Sequence, residues 1–497
     1  MRLGRRGLRV GSLVLAGWLV GCGTTGPSGG EAEPPVVEVP EVDRPAEDRP
    51  REVEPGRGRI GFLRQYDNAE RERPSGAASG TDGSFVVLGT TVRERDTGEP
   101  GVVRHETLTL VDHYDREGNL LWTLELPEGV RPSSVVVDPE RILLAGGYYH
   151  APELAGTTLP RATAGRGLFL LVLTRQGAPV SARGWVVRVG RAAPRDTEAY
   201  FTGLRTDASG SAVLVGRYRG ALDLGGGELP QEDPALRVDS TFVARFTPQG
   251  QLQWARSLRT DITVRTVAAG ASGVVALGGA AGKDADIGEG GWGNTARAPF
   301  VVSLDADTGE TRWRHVLDGA EGAVTSAVET SAGFTFAGSY SRGGFSFAGA
   351  DFTPPPGEGT DLMLFRVDAT GGPVWARQYR GGTDVQMLQL VADAEGHLTL
   401  SLSTKGGVDL GGGGLEAGSG SGERSQSFVA AYDDEGRHVW SRQVPNLGAT
   451  DIAGHALLPQ PGGDVVLVTS LAGPAELDGR ALTPLAGEDL ILLQLRR

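Results

Sequence analysis

The chain has 497 residues, 77 of them Gly, 29 Pro and one Cys, with 22 % charged residues and a formal net charge of −14. One Cys excludes an intrachain disulfide, and the acidic balance argues against a general nucleic-acid binder, which needs a basic footprint. Gly at this density disfavours long helices, each interior Gly costing roughly 1 kcal/mol against Ala. The length suits two or three domains, or one large repeat fold.

The first element is an address. Met1–Arg9 carries Arg2, Arg5, Arg6 and Arg9 and no acid, and Val10–Val20 is apolar or small. That run is too short to cross ~30 Å of hydrocarbon, but it matches the apolar region of a secretory signal. It ends in Leu19-Val20-Gly21-Cys22, which resembles the lipobox of bacterial lipoproteins. The resemblance implies that residues 1–21 are removed as a signal peptide. It also implies that the Cys22 sulfur is diacylated through a thioether and that the new amino terminus is acylated. Two or more acyl chains anchor stably, at about 0.8 kcal/mol per buried CH₂. Loss of the four Arg takes the net charge from −14 to −18. Gly23 is not the Asp that holds lipoproteins in the inner membrane of enteric bacteria, so the expected address is the outer membrane.

Residues 22–58 form the second element. Seven Pro, many acids and no aromatic residue predict a disordered tether. In polyproline geometry, at ~3.1 Å per residue, it would reach about 110 Å. No other apolar run is long enough to span a membrane.

Residues 59–497 hold three features in fixed order, seven times over. The first is an aromatic strand: Phe62, Trp122, Trp185, Trp254, Trp313, Trp375 and Trp440. The second is a short apolar run, as in Phe85–Leu88 and Val274–Leu277, often followed by Gly, as at Gly89, Gly146, Gly216, Gly278 and Gly338. The third is another apolar run, as in Phe300–Leu304 and Leu490–Leu495. Gly118, Gly250, Gly309, Gly371 and Gly436 each stand four residues before a Trp, where a tight turn needs positive φ. A weaker strand fits before the second feature, as in Val264–Ala268, Ala323–Val328 and Asp451–Leu457. Four short antiparallel strands per repeat of about 60 residues predict an all-β, seven-bladed β-propeller. The chain starts on an aromatic strand and stops on a third-feature strand. With the aromatic strand outermost, the N-terminal strand must complete the last blade and close the ring.

Val302–Trp313 resembles the repeat of pyrroloquinoline-quinone-type propellers. The Asp-Leu-Gly-Gly-Gly stretches at Asp223–Gly227 and Asp409–Gly413, the Phe-Val-Ala strands and the Gly-x-x-x-Trp spacing are similar to the bacterial propeller repeats called SBBP repeats. Those are common in predicted lipoproteins of myxobacteria and relatives. The likeness covers residues 60–497 and speaks to architecture more than activity.

The candidate chemistry is thin. Indoles at one strand position per blade are expected to pack between blades, each able to bury 150–250 Å². An acid recurs before the third feature, at Glu153, Asp223, Asp286, Asp351, Asp409 and Glu476, and is expected to cap turns rather than hold calcium. No two His have the spacing of a helical zinc site, though His455 falls on an innermost strand. The Gly-x-Ser-x-Gly at Gly26–Gly30 and the Gly-x-Gly-x-x-Gly runs at Gly56 and Gly288 join no strand to a helix. Trp292, in a Gly-rich loop outside the repeat, is a weak candidate for a sugar or protein contact. No catalytic residue, metal or cofactor is assigned. The expected protein is a monomeric, noncatalytic outer-membrane lipoprotein that binds a protein or glycan and no nucleic acid. The alternative is an enzyme at the propeller axis, a quinone-dependent dehydrogenase or a hydrolase.

Overall fold

The structure, a computed structural model, describes residues 58–66, 74–96, 103–188, 198–230, 239–258, 261–287, 290–353, 357, 359–415, 426–444, 456–471, 473–484 and 489–497. The signal, Cys22, the tether and His455 lie outside the described residues. No helix occurs among the described residues, so none is long and apolar enough to cross a membrane.

Seven antiparallel sheets carry the repeat: six have four strands, and the four of blade 2 gain a fifth where Ala221–Leu222 pairs with Val187 and Arg188. In blade 4 the order from the innermost strand outwards is Ile262–Ala269, Val274–Ala281, Ala298–Asp305 and Thr311–Val316. The second and third strands are almost wholly buried, because a blade on each side covers both faces. That explains their continuous apolar runs. The outer strand has more solvent and alternates instead. Innermost strands touch their neighbours all the way round, and Gly76–Ser79 of the first blade meets Ala456–Pro459 of the last. The core divides into seven apolar clusters, one at each blade junction.

The seventh blade is composite. Ile60–Tyr66 pairs antiparallel with Asp489–Leu495, from Ile60 opposite Leu495 to Tyr66 opposite Leu490. The N-terminal strand is thus the outermost strand of the last blade, as the phase of the repeat requires. Phe62 and Tyr66 then pack with Phe85 and Tyr114 of the first blade, so the joint is noncovalent and apolar.

Trp packing joins the remaining blades. Gly309 has φ 74°, and a Cβ there would lie 2.8 Å from the ring of Trp254, so the indole of blade 3 rests on the bare turn of blade 4. Trp254 Nε1 donates to the Ala306 carbonyl in the same turn at 2.7 Å. Trp122, Trp313, Trp375 and Trp440 meet Gly177, Gly371, Gly436 and Gly58 in the same way.

Trp185 departs from the pattern. Its strand, Pro179–Arg188, is longer, and Ser181 takes the register position that Trp occupies elsewhere. Trp185 stands four residues further on and donates to the Leu224 carbonyl at the opposite edge of the next blade. A shift of four residues moves a side chain about 13 Å yet keeps it on the same sheet face, so the ring still fills a blade junction.

Candidate functional site

Two surfaces could carry function: the rim formed by the loops between second and third strands, and the axial space.

Among the described residues the rim is elaborated in six blades, and five of the insertions follow one plan. Short hairpins or bridges occur at Glu153–Leu154 with Thr157–Thr158, at Asp223 with Glu228, at Phe345–Phe347 with Ala350–Phe352, at Val408–Asp409 with Gly414–Leu415, and at Ala475–Leu477 with Arg480–Leu482. Apolar residues flank the acid and turn inward: Leu222 and Leu224, Val408 and Leu410 are all buried. The acid faces out, and in blades 3 and 6 it caps the turn. Asp223 Oδ1 accepts from the N–H of Gly225 at 2.8 Å and of Gly227 at 3.0 Å. Asp409 repeats this with Gly411 and Gly413, at 2.8 and 3.1 Å. These carboxylates are occupied by turn amides.

Trp292 lies in the insertion of blade 4. Its ring is half-buried, edge-on to Phe300 with centroids 5.2 Å apart, and Arg314 stands 5.7 Å above it. Its Nε1 is buried without a hydrogen-bond partner. The indole therefore belongs largely to the junction of blades 3 and 4.

The opposite face carries the tight turns, where acids and histidines gather. Asp393 Oδ1 accepts from the His397 N–H at 2.8 Å, and its Oδ2 faces His397 Nδ1 at 2.8 Å and Arg497 at 3.7 Å. Burial pushes the Asp393 carboxyl up against the pull of Arg497. Asp433, Asp434 and Glu435 form a second acidic turn, in which Asp433 accepts from the N–H groups of Glu435 and Arg437. Both groups arise from turn capping, and spacing did not single them out in the sequence. Burial, then Arg175, holds the His113 pKa down; the ring lies tilted against Trp122 with centroids 5.1 Å apart, and Nε2 shares a hydrogen bond with Ser84 Oγ at 3.1 Å. Glu329 is raised by burial while it caps the neighbouring blade's turn through the Ser272 N–H. His113 meets a serine and an acid, but Ser84 Oγ donates to Asp82 Oδ1 at 2.9 Å, so the hydroxyl proton is held by the carboxylate rather than by the imidazole.

The axial space was the least legible part. Innermost strands of blades 2 to 6 each carry a β-bulge at the same register, before Ser134, Gly203, Thr266, Ser326 and Gln389. The bulge thrusts a backbone carbonyl at the second strand. A Cβ at Gly146, Gly216, Gly279 or Gly338 would collide with the carbonyl of Arg131, Tyr200, Thr263 or Ala323. This is why Gly follows the second feature. In blade 4 the residue concerned is Gly279 rather than Gly278. The extra residue of each bulge, Ser133, Thr202, Arg265 and Thr325 in four of these blades, reaches solvent to some degree. Neighbouring blades cover both faces of each sheet, so that solvent is the axial space. Those four side chains are three hydroxyls and a guanidinium.

No family model matches the chain, and no curated protein matches it. Several solved structures are similar in shape. The quinohemoprotein alcohol dehydrogenase of Comamonas testosteroni is 11 % identical, with 88 % of this chain and 76 % of that one covered and a TM-score of 0.39. A europium-containing methanol dehydrogenase is 11 % identical, covering 88 % and 93 %, with a TM-score of 0.37. BamB from Moraxella catarrhalis is 12 % identical, covering 68 % and 96 %, with a TM-score of 0.28. At these scores the likenesses carry no argument about activity, and the propeller rests on this chain's own sheets.

Proposed function

We propose that the protein is a noncatalytic binding platform tethered to the outer membrane. In this reading residues 1–21 are a signal peptide, Cys22 is lipidated, residues 22–58 are a flexible tether, and residues 59–497 are the propeller that meets a protein or glycan. The observation that carries it is the rim. Six insertions among the described residues open on one edge of the ring, each with an apolar underside held on the blade and an acid on its outward side. Rigid, polar, multiply repeated loops on a preformed scaffold suit recognition, because little ordering entropy is lost on binding. The tether would let the rim search a volume around its anchor.

Two measurements test it. Metabolic labelling with an alkynyl palmitate should mark the protein, and Cys22→Ala should abolish the label; a label that survives the substitution refutes the anchor. Photo-crosslinkers at Thr157 and Asp478 on the rim should capture the envelope partner. Crosslinkers at Asp307 and Thr370 on the opposite face should not. Equal capture from both faces would sink the rim reading.

A further inference from the structure

Three successive innermost strands present arginines to the axial space. Arg131 in blade 2, Arg205 in blade 3 and Arg265 in blade 4 are all exposed, although each sits inside the ring. Among the described residues none of them has a carboxylate partner. Arg205 donates only to the carbonyl of its own neighbour, Leu204, at 2.8 Å. Elsewhere in this acidic chain arginines find acids readily: Arg245 meets Asp207 at 2.7 Å, Arg219 meets Asp239 at 2.6 Å and Arg312 meets Asp305 at 2.6 Å.

The Arg205 side chain reaches solvent, and burial by the surrounding protein pulls its guanidinium below the ordinary arginine value. It stays protonated at any physiological pH. Cations without a carboxylate partner raise the local concentration of anions. Arg265 occupies the bulge of its strand, level with Thr202 of the adjacent blade, because Gly203 of that blade abuts Val267. Arg205 lies three residues beyond Thr202, about 10 Å along the strand. Two arginine side chains of ordinary length are long enough to reach across that gap. The Thr202 hydroxyl between them makes no hydrogen bond among the described residues. A guanidinium presents a planar fork that matches carboxylate and phosphate oxygens.

We infer that the axial channel holds a small oxyanion, carboxylate or phosphate, between Arg205 and Arg265, with Thr202 as a third donor and Arg131 guarding one mouth. The inference does not depend on the lipid anchor or on the rim.

The full-length chain in detergent is titrated by calorimetry with sodium phosphate and, separately, with sodium succinate, at fixed ionic strength. At least one should bind saturably at one per chain and raise the unfolding temperature, and the better of the two identifies the acid group. R205Q and R265Q should each weaken binding at least about tenfold, since each removes a charge-assisted fork. R480Q, on the rim of blade 7, should leave it unchanged. No binding of either anion at millimolar concentration, or equal binding by the double variant R205Q/R265Q, overturns the proposal. A folding failure in either variant does not obscure the result. In the unaltered chain the bound anion should protect Arg205 and Arg265 from phenylglyoxal, read by peptide mass, and absence of protection also overturns it.

Discussion

Glycine at the inner bulge shows how a single residue sets the blade. Gly146 faces the bulged strand of blade 2, where a methyl group would press on the Arg131 carbonyl, a backbone atom that cannot yield cheaply. Gly89, its counterpart by sequence pattern, has nothing within 4 Å of the same methyl position among the described residues, where the innermost strand of blade 1 runs over Gly76–Ser79. Gly146→Ala should therefore cost about 1–3 kcal/mol by overpacking, while Gly89→Ala should stay within about 0.5 kcal/mol of the unaltered chain. Urea denaturation of both variants checks this; equal effects would refute the steric account. The pattern of apolar run plus Gly was visible in the sequence. The two meanings of that Gly were not, because they depend on a strand some fifteen residues away in the chain.

The tight turn between third and fourth strands is the element that repeats most faithfully. In blade 4, Asp305 Oδ1 accepts from the N–H groups of Asp307 and Thr308 at 3.0 and 2.9 Å, and Oδ2 accepts from Arg312 at 2.6 Å. The Arg312 hydrogen bond, followed by the Thr308 N–H, holds the Asp305 carboxyl down at about 2. A depressed carboxyl stabilises the fold above the ordinary Asp range, and this contribution is lost as pH falls through the folded value. Asp305→Asn should lower the thermal midpoint at pH 6, and the difference from the unaltered chain should shrink between about pH 4 and pH 2. A difference independent of pH over that window would show that ionised Asp305 adds nothing. The turn and its Gly were legible because four residues suffice to specify them. Trp185 was misplaced because an even shift along a strand preserves the alternation on which the reading rests.

At the scale of the molecule, ring closure rests on one strand. Ile60–Tyr66 covers the edge of Asp489–Leu495, and Gly58 packs on Trp440 of the sixth blade. Deleting residues 59–66 leaves that edge open and uncovers the junction of the last and first blades. The shortened chain should unfold at a lower temperature and associate through the bared edge, as calorimetry and size-exclusion chromatography would show. An unchanged midpoint in a monomeric product would mean that closure by the N-terminal strand is dispensable.

Turn spacing, apolar runs and the phase of the repeat are local, and from them the sequence by itself determined the number of blades, the four strands in each and the strand that closes the ring. Hydrophobic burial on both faces of a strand leaves a continuous apolar run that can be read without coordinates. Only the tertiary structure decided what faces the axis. Ser133, Thr202 and Thr325 carry hydroxyls and Arg265 a guanidinium, side chains found on any exposed strand, and a bulge leaves no signature on the residue it displaces. Whether an arginine in an extended strand meets an acid, open water or an enclosed channel depends on neighbours supplied by other blades. Local pattern cannot encode them, because they come together only when the ring closes.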